Sequence, residues 1–111
     1  MVLNSGMDEI DKAIILAKAI ASHPRLRILE YLTSKVASVT EISDALDMPI
    51  ATASLHLGNL EKAELVHSHT APGKRGQQRL YLRVHDSVVF HLPTRRSLDR
   101  NRGFTFEMPV G

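Results

Sequence analysis

The chain contains no cysteine, which excludes disulfides and thiolate metal sites alike. It also lacks any apolar run near the roughly 20 residues that a bilayer-spanning helix needs, so no membrane partner is expected. Residues 1–11 are mixed polar rather than basic then apolar, unlike a secretory signal peptide, and the expected location is cytoplasmic. Absent too are a Gly-Lys-Ser/Thr phosphate loop, a Gly-x-Ser-x-Gly elbow, a His-Glu-x-x-His helix and a cysteine nucleophile. With 111 residues, 43% of them hydrophobic, the chain can build one small core but not the enclosed site of a multidomain enzyme. Neither enzymatic activity nor a cofactor is expected.

What is present is an uneven distribution of charge. Residues 1–73 carry six basic and nine acidic side chains, a net −3, whereas residues 74–111 carry eight basic and three acidic, a net +5. A basic end of this kind steers a protein toward phosphate, although a solvated tail without a partner has the same composition.

Apolar spacing then divides the chain into elements. Ile10, Ala13, Ile14, Ala17, Ile20 and Ala21 recur at helical steps over residues 8–21, with Asp8, Glu9 and Asp11 near the positive end of the dipole. Ile15 and Ala19 fall among Asp11, Lys12 and Lys18, which widens the apolar arc beyond one core contact. Ser22 or His23 can cap a second helix, with Pro24 in its first turn and Leu26, Ile28, Leu29 and Leu32 as its buried face. After a connector at residues 35–37, Ser38 and Glu41 make a capping-box pattern that opens a short helix carrying Ile42, Ala45 and Leu46. Asp47-Met48-Pro49 is a tight turn. The next helix, over residues 49–64, puts Ala53, Leu57 and Leu60 on one face and Ala51, Ser54, Leu55, Gly58, Asn59 and Lys62 toward the other.

A hairpin follows, with strands at residues 66–70 and 78–84 around a loop over 71–77. Leu80, Leu82 and Val84 alternate with Arg79, Tyr81 and Arg83, which predicts a strand buried on one face. Residues 87–92 are a short apolar run that fits either a strand or a helical turn or two, ended by Pro93. Residues 7–92 are thus expected to form one domain, and residues 93–111 a basic linker and strand-like tail. Phe104, Phe106, Met108 and Val110 alternate in that tail, a pattern open to a truncated or frame-disrupted end, an added strand on the hairpin sheet, or a disordered segment.

The order of elements outlines a winged helix-turn-helix, mainly α with a small β-hairpin, whose commonest use is reading duplex DNA. Three segments further resemble the ArsR-type (arsenic-repressor-like) regulators: Ala19-Ile20-Ala21-Ser22-His23-Pro24-Arg25-Leu26-Arg27-Ile28-Leu29, Ser38-Val39-Thr40-Glu41-Ile42-Ser43-Asp44-Ala45-Leu46, and Ala51-Thr52-Ala53-Ser54-Leu55-His56-Leu57. Leu60-Glu61-Lys62-Ala63-Glu64-Leu65-Val66 completes the likeness, which covers roughly residues 10 to 85. It implies a homodimer that represses transcription and releases DNA when a metal or other signal binds. Three departures bear on this. Metal-sensing members place cysteines in the helix matching residues 38–46, and here there are none. Glu64 stands where the family commonly has a helix-ending glycine. Gly58 lies inside the reading helix, where it weakens the helix by about 1 kcal/mol relative to alanine; a close approach of backbone to DNA or to a neighbouring segment would explain it, as would a tolerated surface position.

The expected DNA contacts are Ala51, Thr52, Ser54, Leu55 and Asn59 on the reading helix, with Leu55 able to meet a thymine methyl group. Lys62, Lys74, Arg75, Arg79 and, further along, Arg83 supply positive charge, the Gly-flanked Lys74-Arg75 tip being suited to phosphate or the minor groove. Ile10, Ile14, Ile15 and Ala19, with Val88 and Phe90, form the expected dimer interface. His67 and His69 share a strand face and, with His85 and His91, are the weak metal candidates, no carboxylate-rich motif completing a ligand set. His23 is assigned to capping and His56 to the border of the core. The function expected is a sequence-specific, dimeric DNA-binding repressor whose effector is not specified by the sequence. The rivals are a protein-interaction module docking through Ala51, Leu55 and Gly58, and a nucleic-acid binder without sequence preference.

Overall fold

The computed structural model of the chain describes residues 9–74, 76–90 and 92. Helix α1 (Glu9–Ile20) places Glu9 and Asp11 in its first turn and Lys18 in its last, charges that complement the helix dipole. Ser22 caps α2 (His23–Tyr31): its extended backbone lets the hydroxyl accept from the Arg25 N–H at 3.3 Å, and Pro24 lies in the first turn, where no donor is required. Ser22 is therefore the cap, and His23 is the first helical residue. A two-residue strand, β1 (Ala37–Ser38), spans the last residue of the expected connector and the expected cap, and leads directly into α3 (Val39–Leu46). The capping box at α3 is complete, with Ser38 Oγ accepting from the Glu41 N–H at 3.2 Å and Glu41 Oε1 accepting from the Ser38 N–H at 2.8 Å.

Helix α4 (Ile50–Lys62) is followed by β2 (Val66–Gly73) and β3 (Gly76–Arg83). The three strands form an antiparallel sheet in the order β1-β3-β2. Ala37 lies opposite Tyr81, Val66 opposite Arg83, and the ladder continues to the Gly73–Gly76 pair. The expected seven-residue loop is thus mostly paired strand. Gly76 closes the turn with φ 95°, a conformation open to glycine and costly for other residues. Residues 84–90 and 92 are neither helix nor strand, and the tail expected at residues 93–111 lies outside the described residues.

One core joins these elements. Leu16, Ile28, Leu32, Ile42, Leu57, Leu60 and Val66 are its largest fully buried side chains, and Ala53 is also fully buried. The inner face of α4 is as its spacing predicts, but four other faces differ. On α1 the core takes Leu16 and Ala19, the latter only 5% exposed, while Ile10, Ile14, Ile15 and Ala17 face outward. Leu26 on α2 and Ala45 on α3 are exposed, and Ser43 is buried in place of Ala45. On β3 the inner face is the one bearing Tyr81, 8% exposed, so the alternating Leu80 and Leu82 lie on the outer face and Val84, just past the strand, is exposed.

A cation ties three helices together. Arg25 Nε donates to Ala19 O at 2.8 Å and Nη2 to Lys18 O at 3.1 Å, satisfying carbonyls that the end of α1 leaves without intrahelical partners. Its Nη1 lies 3.1 Å from His56 Nδ1 on α4. Arginine only donates, so Nδ1 accepts and the ring proton belongs on Nε2. Burial first, and the Arg25 charge second, hold His56 below its ordinary value of 6.5.

The unfolded chain therefore takes up the His56 proton at higher pH than the folded chain does. Stability present above the ordinary histidine range is lost as pH falls through it toward the lower folded value. Melting temperatures measured from about pH 7.5 to 5 should fall more steeply for the wild type than for His56→Gln, which keeps an acceptor but not the titration; parallel curves would remove this linkage. A second prediction concerns the end of α4, where Leu65 N–H donates to Leu60 O and Glu64 N–H to Glu61 O, both at 2.9 Å, with Glu64 at φ 64°. This is a Schellman ending made without glycine. Glu64→Gly relieves the left-handed strain and should stabilise the fold by about 0.5–1 kcal/mol, the gain being reduced by the added freedom of the unfolded chain; urea unfolding with an unchanged or lower midpoint would contradict it.

Candidate nucleic-acid interface

The approach of α4 to a partner is set at the turn before it. Asp47 adopts a left-handed conformation, φ 55° and ψ 55°, which aspartate tolerates better than most residues. Met48 N–H donates to Ser43 O at 3.1 Å, and Ser43 Oγ donates to Met48 O at 2.6 Å. Pro49 then precedes the first turn of α4 with an extended backbone. Ser43 is buried because its hydroxyl locks this turn, which accounts for its place in the core in preference to Ala45.

With Ala53, Leu57 and Leu60 against the core, α4 presents its other side to solvent. Ala51, Ser54 and Leu55 are exposed, and Leu55 keeps 65% of its surface. Ile50, 51% exposed, joins them at the helix start, a position that attention to Ala51 alone overlooks. Thr52 and Asn59, seven residues apart and half-buried, share one flank, while Lys62 is exposed at the far end. Gly58 has nothing within 4 Å of where a Cβ would stand. No neighbouring segment of the described chain therefore requires glycine there.

The wing is joined to the reading helix by a side-chain bond, Ser68 Oγ to Glu61 Oε2 at 2.7 Å. Nothing in the sequence spacing signals this contact, or that between Arg25 and His56. Lys74 and Arg79 are exposed on the hairpin, and Arg75 lies outside the described residues. Arg83 is placed differently from the other cations. Its Nη1 reaches Leu29 O at 3.5 Å and its Nη2 reaches Asp86 Oδ1 at 3.3 Å, contacts that tie the base of the wing to α2.

The expected dimer residues separate in the same way. Ile10, Ile14 and Ile15 are exposed on α1 and Phe90 is exposed after the wing, whereas Ala19 is buried and Val88 packs against its own core. Among the candidate ligands, His67 and His69 are exposed, His85 is half-buried, and His91 lies outside the described residues. Among the described residues, no three His, Asp or Glu side chains gather in a group that could hold a metal ion. No helix among them is long and apolar enough to cross a membrane.

The family model for a helix-turn-helix domain matches residues 21–69. Among solved structures, the chain is similar to a possible transcriptional regulatory protein (fragment 1-100) from Mycobacterium bovis, at 29% identity over 68% of this chain and 77% of that one, with a TM-score of 0.61. The solution structure of a Mycobacterium bovis fragment, described as a homodimeric winged helix-turn-helix DNA-binding domain and a possible ArsR-family transcriptional regulator, matches at 27% identity over 73% and 75% of the two chains, with a TM-score of 0.60. Reduced HlyU from Vibrio cholerae matches at 30% identity over 69% of this chain and 77% of its own, with a TM-score of 0.58. Compared by sequence with curated proteins, the chain finds no match. Similarity that spans helices and wing together, at 30% identity over 77% of a relative, reflects kinship rather than a chance likeness between short helical motifs: the chain belongs to the ArsR-type winged helix-turn-helix family and is a DNA-binding transcriptional regulator.

Proposed function

We propose that the protein is a homodimeric, sequence-specific repressor that acts on cytoplasmic DNA without catalysing a reaction. The observation that carries this reading is the division of its DNA-facing surface. Between Asp47 and Glu61 the chain has no lysine, arginine, aspartate or glutamate. That side of α4 offers shape, hydroxyls and an amide for base edges, while phosphate attraction falls to Lys62, Lys74, Arg75 and Arg79. Dimerisation follows from α1, where Ile10, Ile14 and Ile15 make an exposed apolar stripe close in sequence to the buried Leu16 and Ala19. One relative carries a homodimeric description. Two copies would set two reading helices about one DNA turn apart, roughly 34 Å, and so favour a near-palindromic site.

Selection from a random pool of short duplexes tests the reading directly. Enrichment of a near-palindrome supports it, whereas retention without enrichment would make the protein a nonspecific binder. Replacing Lys74 and Arg75 together by alanine should weaken binding to every duplex and flatten the slope of log affinity against log salt by about 2. Fluorescence anisotropy at two salt concentrations reads this, and an unchanged slope removes the wing from the interface. Ile14→Glu should convert the dimer to a monomer in light scattering at micromolar concentration while leaving the helical circular dichroism intact. A wild type that is itself monomeric there would overturn the dimer.

A further inference from the structure

The exposed start of α4 is chemically narrow. In helix-turn-helix proteins the first residues of the second helix meet base edges, and each base displays a distinct pattern in the major groove. Guanine is most often read by arginine or lysine donating to O6 and N7, and cytosine by aspartate or glutamate accepting from N4. Neither kind of side chain occurs between Asp47 and Glu61. Lys62 stands at the last residue of the helix, where phosphate is the nearer target. His56 is turned inward to Arg25. What remains at the reading end is two large hydrocarbon side chains, Ile50 and Leu55, 51% and 65% exposed, with the Ala51 methyl and the Ser54 hydroxyl between them.

A single exposed leucine is ordinary on a protein surface. Two exposed branched side chains at the base-reading end of a helix flanked by a basic wing have a specific complement. The 5-methyl group of thymine is the one apolar feature that an unmodified base edge offers in the major groove. Asn59, on the adjoining flank, has the amide that pairs with adenine N6 and N7. We propose that base reading by this protein is directed at A·T pairs, with Leu55 and Ile50 packing against thymine methyl groups and acting as its specificity-determining residues. This rests on the DNA-binding reading of α4 and adds to it the class of base that is read.

The test begins with the strongest site selected by the wild type from random duplexes. Single thymidines in that site are then replaced by deoxyuridine, which removes the methyl and leaves the Watson–Crick pairing unchanged. Each contacted thymine should cost about fourfold in affinity, the fold-change corresponding to about 0.8 kcal/mol for one buried methyl-sized group. Leu55→Ala should bind the thymine and uracil forms of its own position equally, and Ile50→Ser should do the same at a second position. Both side chains are exposed, so melting curves close to the wild type are expected, and the thymine-to-uracil ratio does not depend on total affinity. Selected sites with G·C pairs under the helix, or uracil forms bound as tightly as thymine forms, overturn the inference while the protein remains a DNA binder. Failure to retain any duplex overturns the DNA-binding reading and this inference with it.

Discussion

The direction in which α4 leaves α3 depends on a turn closed by one serine hydroxyl. Ser43 Oγ holds Met48 O at 2.6 Å around a left-handed Asp47. Helix α3 has only eight residues, too few to persist alone, and its capping box and this closure fix its two ends. Beneath it Ile42 is fully buried, as are Ala53, Leu57 and Leu60 on α4. Burying each such leucine or isoleucine contributes about 1.5–3 kcal/mol, so rotating α4 to present another face would forfeit several of these terms at once. The outward arc of the reading helix is in this sense a by-product of what the core requires.

The parts of the fold that were legible in the sequence are those with local causes. The capping box needs only Ser38 and Glu41, the turn needs Asp47 before Met48-Pro49, and the inner face of α4 follows from Ala53, Leu57 and Leu60 at helical spacing. The face of α1 was not legible, because apolar side chains occur nearly all round that helix and spacing cannot choose between arcs; Leu16 and Ala19 win through contacts made elsewhere in the chain. Strand β3 misleads for a related reason. Its leucines alternate as a buried face should, yet Tyr81, opposite Ala37 on the two-residue β1, is the residue turned inward. The contacts of Arg25 with His56, Glu61 with Ser68 and Arg83 with Leu29 join residues whose proximity only the folded chain creates.

The same division applies to the DNA-facing surface. Sequence pattern identifies the reading helix and the basic wing, since both are runs of neighbouring residues. It does not separate the cations. Arg79 remains exposed, whereas Arg83, four residues further along the same strand face, is engaged with Leu29 and Asp86. Arg25 is likewise committed in its hydrogen bonds to the end of α1 and to His56, so its donors are engaged within the fold although its charge persists.

The hairpin is paired through to Gly73 and Gly76, and its root is bonded to α4 through Ser68 and Glu61. A flexible loop of the same composition would lose about 1–2 kcal/mol of backbone freedom for every residue that became fixed on a duplex. The paired strands have already given up much of that freedom on folding, and the bond between Ser68 and Glu61 restrains the separation between wing and reading helix. On the proposed contacts of wing and α4 with one duplex, a groove whose width does not match that spacing would have part of the misfit taken up by the DNA. Stiff and pliant base steps lying between the two contacts would then be distinguished by the work of bending them, without any side chain touching their edges.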